Sequence, residues 1–446
     1  MRPRTLLRST LLAALIAALP LPLAASGTAS TPTEVRPTPT AVRWSVDAGT
    51  TGLLVEDHRA PLVTVQLRFP AGTWSPWVEQ SGADLAFRIQ SRDPTGTLRQ
   101  RADRLAAPIG LSVAPRWSTL SVTCLKEDLP AVLQLVRDVL ANRDFDRAEL
   151  ARRRQATDLE WKASLKQPRF MGLQAGARML YGPDDPRRKA YEAPDDPLSD
   201  PVKLATARDT LVRLPGRSIG FAGALTADEA QQFAATILPP PLTEAPAGRA
   251  PALTAPQAPG SRPREIDLPM ARLTQVYFGY GREGLSLLDP AEPASVIADH
   301  ALGGHFNSRL MTTLRQEGGD TYGAGVVDLG GIDPGLYALA TFTRTGNAAA
   351  VETKLRDVLA RLHRDGLTEE ERALAAGNAV GSRAALRETP QQVLYTAMDE
   401  HSLDLPNGFF DARAARAAAL TLEQVNDFVR RFYDPAGFTM IRARPE

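Results

Sequence analysis

The order of elements in this chain starts twice. Val136-Arg137-Asp138-Val139-Leu140-Ala141 matches Leu355-Arg356-Asp357-Val358-Leu359-Ala360. In both places a short loop leads into a charged helix, with Glu149 standing where Glu371 stands. The offset is close to half of the chain, so the pattern is an internal repeat and points to two similar folding units. Between the copies, residues 239–264 are rich in Pro, Ala and Gly and lack apolar periodicity, which reads as an extended linker. At 446 residues the chain is also too long for a single core.

Each copy mixes strand and helix signals. In Pro61 to Phe69, Val63, Val65, Leu67 and Phe69 alternate with Thr64, Gln66 and Arg68, a strand with one buried and one open face. Shorter strands are expected at Gly52–Glu56, Leu111–Val113, Leu120–Leu125 and Ser218–Gly223. Helices are expected at Gly82–Ser91, near Leu98–Ala107, at Leu129–Leu140 with Val132, Leu133, Val136 and Val139 inward, and at Arg147–Leu165. Thr226 with Glu229 forms a capping box for a helix to Ile237. After the linker come a strand at Leu273–Tyr280, a helix at Ala291–Leu302, a strand at Leu336–Phe342 and a helix at Ala348–His363 that Gly366 ends. Thr368 with Glu371 and Thr421 with Gln424 open two more helices, and Phe438–Ile441 is a terminal strand. Strands come in groups and helices in consecutive pairs, which disfavours a doubly wound parallel sheet. The expected class is α+β. Two homologous domains, each a mostly antiparallel or mixed sheet covered by helices, occupy residues 44–238 and 265–446 and are joined by the Pro-rich linker.

The N-terminus reads as a secretory signal peptide over residues 1–29. Arg2, Arg4 and Arg8 precede the apolar Leu11–Leu19, and small residues follow. The apolar run is short for a membrane span, and no cysteine follows it to carry a lipid anchor. A Thr/Pro-rich tether over 30–43 leads to the first domain. Export to the periplasm or the extracellular space is expected, with no stable membrane span after cleavage. A net charge of +1 gives no field that points to nucleic acid. The single cysteine, Cys124, lies in an alternating apolar run and reads as a buried structural thiol.

The densest motif is Ala301 to Gly323. It reads as a Gly303-Gly304 break, a helix with Phe306, Leu310, Met311 and Leu314 on one apolar face, a stop at Gly318-Gly319, and the start of a strand. Arg315 lies at the helix end and Tyr322 just past the turn. Two readings of this pair are open. Arginine presents a rigid cationic fork to a carbonyl or carboxylate, and a tyrosine hydroxyl can donate to an oxyanion. Alternatively, Arg315 caps the helix C-terminus and Tyr322 packs in the core. Serine nucleophile elbows, P-loops and dinucleotide fingerprints are absent. None of the five histidines pairs at i, i+4, and His300 and His305 are the nearest approach to a pair.

The stretch Leu302-Gly303-Gly304 through Ser308-Arg309-Leu310, then Leu314-Arg315 and Tyr322-Gly323, resembles the C-terminal domain of the pitrilysin/insulinase-like zinc metallopeptidases, which include the processing-peptidase subunits. The resemblance implies two homologous α+β domains joined by a linker. It also implies a zinc-binding H-x-x-E-H helix in the N-terminal domain, with a later glutamate as third ligand. Here the matching helix is Gly82 to Ile89. Leu85 and Ile89 stand where the histidines should be, and Arg88 stands where the general base should be. Only Glu160 matches the third ligand position, and one carboxylate cannot hold catalytic zinc. By the same resemblance, Arg315 and Tyr322 bind substrate backbone and stabilise the oxyanion.

The pattern fits the non-catalytic subunit of an exported heterodimeric zinc peptidase. A paralogous partner would bear the zinc, and this chain would supply half of the chamber that closes on a peptide. The competing reading is a structural or peptide-binding scaffold with no peptidase role. A stand-alone enzyme would need a site that none of the motifs above provides.

Overall fold

The computed structural model describes residues 40–75, 92–93, 96–142, 147–193, 201–243 and 253–446. The signal peptide over 1–29, most of the tether, and the helix with Leu85, Arg88 and Ile89 lie outside the described residues.

The first half runs β1 (Val42–Asp47), β2 (Thr50–Glu56), β3 (Leu62–Phe69), a two-strand ribbon of β4 (Arg92–Asp93) and β5 (Gly96–Thr97), α1 (Leu98–Arg104), β6 (Gly110–Val113), β7 (Ser118–Leu125), α2 (Leu129–Ala141), α3 (Arg147–Ser164), α4 (Pro168–Leu180), α5 (Pro186–Lys189), α6 (Pro201–Arg213), β8 (Arg217–Gly223) and α7 (Ala227–Ile237). The second runs β9 (Glu265–Met270), β10 (Gln275–Glu283), α8 (Glu292–Asp299), α9 (Arg309–Met311), β11 (Ala324–Asp328), β12 (Leu336–Arg344), α10 (Ala348–Asp365), α11 (Glu369–Ala385), α12 (Pro390–Ser402), α13 (Phe409–Ala419), α14 (Leu422–Phe432) and β13 (Thr439–Pro445).

Two mixed sheets result. The first has the order β1-β2-β8-β3-β7-β6, and the second β11-β12-β10-β13-β9. One parallel pair stands in each, β2 with β8 and β13 with β9, among antiparallel neighbours. The class is therefore α+β, with the same sheet-and-helix plan twice.

The apolar stripes explain the packing. Val132, Leu133, Val136 and Val139 of α2 share one core with Val63, Val65, Leu67 and Phe69 of β3. Val351, Leu355, Val358 and Leu362 of α10, with Val425, Phe428 and Phe432 of α14, share the second core with Val276 and Phe278 of β10. Burying each such side chain stabilises the fold by roughly 1.5–3 kcal/mol. The three capping boxes at Thr226, Thr368 and Thr421 are all formed. Cys124 is buried, and burial pushes its thiol up to about 11.

The opposite faces of the two sheets are covered by exchange. Helix α12 of the second half lies on β2 and β8 of the first, with Val393, Leu394 and Met398 against Leu53 and Val55. Helix α4 of the first half lies on β10 and β13 of the second. The crossings need bare backbone. A Cβ at Gly172 of α4 would lie 2.2 Å from the Tyr277 ring, and one at Gly220 of β8 would lie 2.7 Å from Leu394 and Met398. This exchange corrects the reading of β3. Its second face is not open: Thr64, Gln66 and Arg68 are all buried, and Arg68 donates to Asp399 and Ser402 of α12, which arrives from the far end of the chain.

The linker is strapped down along part of its course. Asp185 and Arg187, both buried, form a two-point ion pair of 3.0 and 2.8 Å. Asp185 accepts from the Thr254 amide at 2.9 Å and from its hydroxyl at 2.8 Å, while Arg187 donates to the carbonyls of Thr254 and Pro334. Burial alone would raise the Asp185 carboxyl, but these donors outweigh it and hold the group down at about 2.

Candidate functional site

Helix α8 does not end at the Gly303-Gly304 break. It widens into a π turn over His300–Gly304, and a second π turn over Thr312–Gln316 follows α9. The wider turns bring Gly303 onto β11, where a Cβ would lie 2.8 Å from the Val326 amide nitrogen. Leu310, Met311 and Leu314 are buried as expected. Phe306 is not, with 57% of its surface exposed. The backbone at His305 is extended, so Phe306 precedes the helix and shares no face with it. Its ring instead lies 4.9 Å from the Arg315 guanidinium, a cation–π contact.

Arg315 is exposed, and Tyr322 is 86% exposed. Neither side chain makes a hydrogen bond or ion pair among the described residues, so the reading of helix cap and core tyrosine falls away. The six-residue path between them is held firmly. Gly319 has φ +61°, a left-handed conformation suited to glycine. Its N–H bonds the Arg315 carbonyl at 3.0 Å, and the Asp320 N–H bonds the Leu314 carbonyl at 2.9 Å. The Asp320 carboxylate accepts from Lys354 of α10 at 2.6 Å and from Asn347 at 3.2 Å. Thr343 of β12 donates to the Asp320 carbonyl at 2.7 Å. Arg315 and Tyr322 thus project into solvent from a fixed turn, beside the outermost strand of the second sheet. Asp320, Lys354 and Asn347 are the residues that the sequence reading missed. The signal was an aspartate directly after the helix-stopping glycines.

His300 and His305 stack with ring centroids 4.5 Å apart and 25° between planes. Burial lowers the His300 pKa, and the neighbouring His305 adds to this. Stacked faces do not converge two nitrogens on one ion. Among the described residues, no three His, Cys, Asp or Glu side chains gather as metal ligands. Glu160 is exposed on α3, and its sequence partners are Leu85, Arg88 and Ile89. This donor set does not fit catalytic zinc. Behind the motif, the Asp299 carboxyl accepts from the hydroxyls of Tyr337 at 2.5 Å and Tyr433 at 2.6 Å, and burial pushes it up to about 7.

Residues 216–376 match the family model described as the peptidase M16 inactive domain. That segment of the chain is similar to the M16 peptidases. The match does not reach Leu85, Arg88 and Ile89, which lie outside both the matched and the described residues. The fold is shared with solved structures. The peptidase M16 inactive domain from Pseudomonas fluorescens is similar at a TM-score of 0.78 and 20% identity, over 91% of this chain and 98% of that one. A protease from Helicobacter pylori matches at 0.75 and 13%, over 91% and 100%. The periplasmic protease PqqL from Escherichia coli matches at 0.73 and 13%, over 91% of this chain and 46% of that one. No curated protein matches the sequence significantly.

Proposed function

We propose that this chain is the non-catalytic subunit of an exported heterodimeric zinc metallopeptidase. It supplies half of the peptide-binding chamber, and Arg315 and Tyr322 contact the substrate carbonyl and the developing oxyanion. The observation that carries the proposal is the exposure of both side chains on a fixed turn, in a chain whose sequence has Leu85, Arg88 and Ile89 at the positions where the resemblance expects ligands and base. The similarity to proteases, one of them periplasmic, supports it. The zinc sits in a paralogous partner, and the peptide lies extended along a sheet edge, with β11 beside Tyr322 as the candidate. The domains are residues 44–238 and 265–446 with the linker at 239–264, and residues 1–29 direct export. Among the described residues no helix is long and apolar enough to cross a membrane.

The test is reconstitution. The chain is purified alone and with an exported H-x-x-E-H relative, and peptide cleavage is followed with and without chelator. Cleavage only by the pair, abolished by chelator, is expected. Cleavage by the lone chain overturns the proposal. A pair that stays fully active with Arg315→Ala and with Tyr322→Phe removes the contact role and leaves a scaffold.

A further inference from the structure

A cleft of ≈ 480 Å³ opens where the β1–β2 turn, the end of β3, the β6–β7 turn and the end of α12 meet. That volume is in the range of small-molecule sites, which favour junctions between halves of a protein. Trp74, Trp117, Arg68 and Arg116 line it, together with Asp47, whose carboxylate accepts from Arg217 at 3.3 Å. The Arg68 guanidinium lies 4.8 Å from the Trp117 ring, and the Arg116 guanidinium lies 5.5 Å from the Trp74 ring.

Both arginines are held from outside the cleft. Asp399 accepts from Arg68 Nη1 at 2.7 Å, and Asp333 accepts from Arg116 Nε at 2.8 Å; neither aspartate lines the cavity. The Arg68 side chain is only 6% exposed, and its Nε is buried with no acceptor. Buried polar atoms are nearly always satisfied by protein, water or ligand, so this unpartnered donor on a cleft-lining arginine suits an acceptor guest. Hydroxyls of Ser402 and Thr50 add to the wall. His401 is held below its ordinary pKa by burial, with Arg43 and Arg68 adding to the effect.

We infer that this cleft binds a carboxylate attached to an apolar or aromatic body, with Arg68 and Arg116 receiving the anion and Trp74 and Trp117 flanking the body. The chemistry suits guanidinium groups already oriented by a second carboxylate and backed by aromatic faces. The guest can be the C-terminal end of a peptide or a free organic acid. Because the lone chain carries the cleft, the inference stands or falls apart from the heterodimer.

The full chain is titrated calorimetrically with N-acetylphenylalanine and with its amide. The acid is expected to bind saturably at one site, and the amide at least tenfold more weakly. Arg116→Gln, at a half-exposed position, and Arg68→Lys, which keeps the charge opposite Asp399, are each expected to weaken acid binding at least fivefold. A tripeptide ending in phenylalanine that binds tighter than the N-acetyl acid identifies a peptide end, and equal binding identifies a small acid. No saturable heat with the acid, equal affinity for acid and amide, or unchanged affinity in both folded variants overturns the inference.

Discussion

Arg116 in the β6–β7 turn donates to Asp333 in the β11–β12 turn, with Nε 2.8 Å from Oδ2. The contact ties together the tips of the two hairpins that carry the outermost strands, β6 and β11. Both side chains keep some contact with water. A double-mutant cycle on Arg116→Ala and Asp333→Ala in urea unfolding is expected to give a coupling of ~0.5–1 kcal/mol that shrinks in concentrated salt. A coupling near zero at low salt would show that the hairpin tips are held by other contacts.

Arg315→Ala gives up only the surface contact with the Phe306 ring, and Tyr322→Phe removes an exposed hydroxyl. Thermal unfolding of either variant is expected to move by less than about 0.5 kcal/mol. Cleavage by the reconstituted pair is expected to fall at least tenfold. A variant that loses stability and activity in proportion would point to a structural role.

Asp320 touches no proposed substrate atom, yet it fixes the turn. Asp320→Ala leaves Lys354 and Asn347 without their shared acceptor and is expected to destabilise the chain by about 1–3 kcal/mol. Amide exchange should then rise first over residues 318–323. Unchanged exchange there would mean that the glycine turn holds itself.

Asp185 carries an acid-stability prediction. Its carboxyl titrates at about 2 in the folded chain against an ordinary 3.8. The depressed value means that its contribution is present above the unfolded value and is lost as pH falls through the folded one. The gap corresponds to ~2 kcal/mol. In Asp185→Asn, the difference in stability between pH 5 and pH 2 is expected to shrink by about that amount, as read from urea midpoints.

Asp299 has the opposite sign. Burial raises its carboxyl to about 7 from 3.8, with Asp328 and Glu292 adding to the rise and the Tyr337 and Tyr433 hydroxyls opposing it. The stabilising contribution is full below the unfolded value and is lost as pH climbs through the folded one. Asp299→Asn is expected to flatten stability between pH 5 and pH 8, most visibly at the alkaline end. A parallel pH profile in the variant would place the titration elsewhere.

The helices that line the two cores were legible because their apolar residues recur at the helical period: α2, α10 and α14 bury the stripes that their sequences show. Helix α4 was hidden. Gly172 and Gly176 weaken its local helix signal, yet they let Tyr277 and Leu336 approach the helix closely. Strand β9 was hidden by Pro269, which a parallel edge position tolerates. For β3 the alternation was real, but no local pattern tells that a helix beginning at Pro390 covers the polar face. The spacing of Arg315 and Tyr322 was visible. Their exposure was not, because it depends on the contact of Asp320 with Lys354, which lies on the next helix.

The exchange of α4 and α12 also sets an order in time. Strands β2 and β8 are complete once Gly223 has been synthesised, but the helix that closes their outer face begins only at Pro390. Until then, Leu53, Val55 and Ala222 have no cover. The first sheet cannot mature as a finished body while the rest of the chain is being made. Its last layer arrives with the final helices, so both halves reach their native state together.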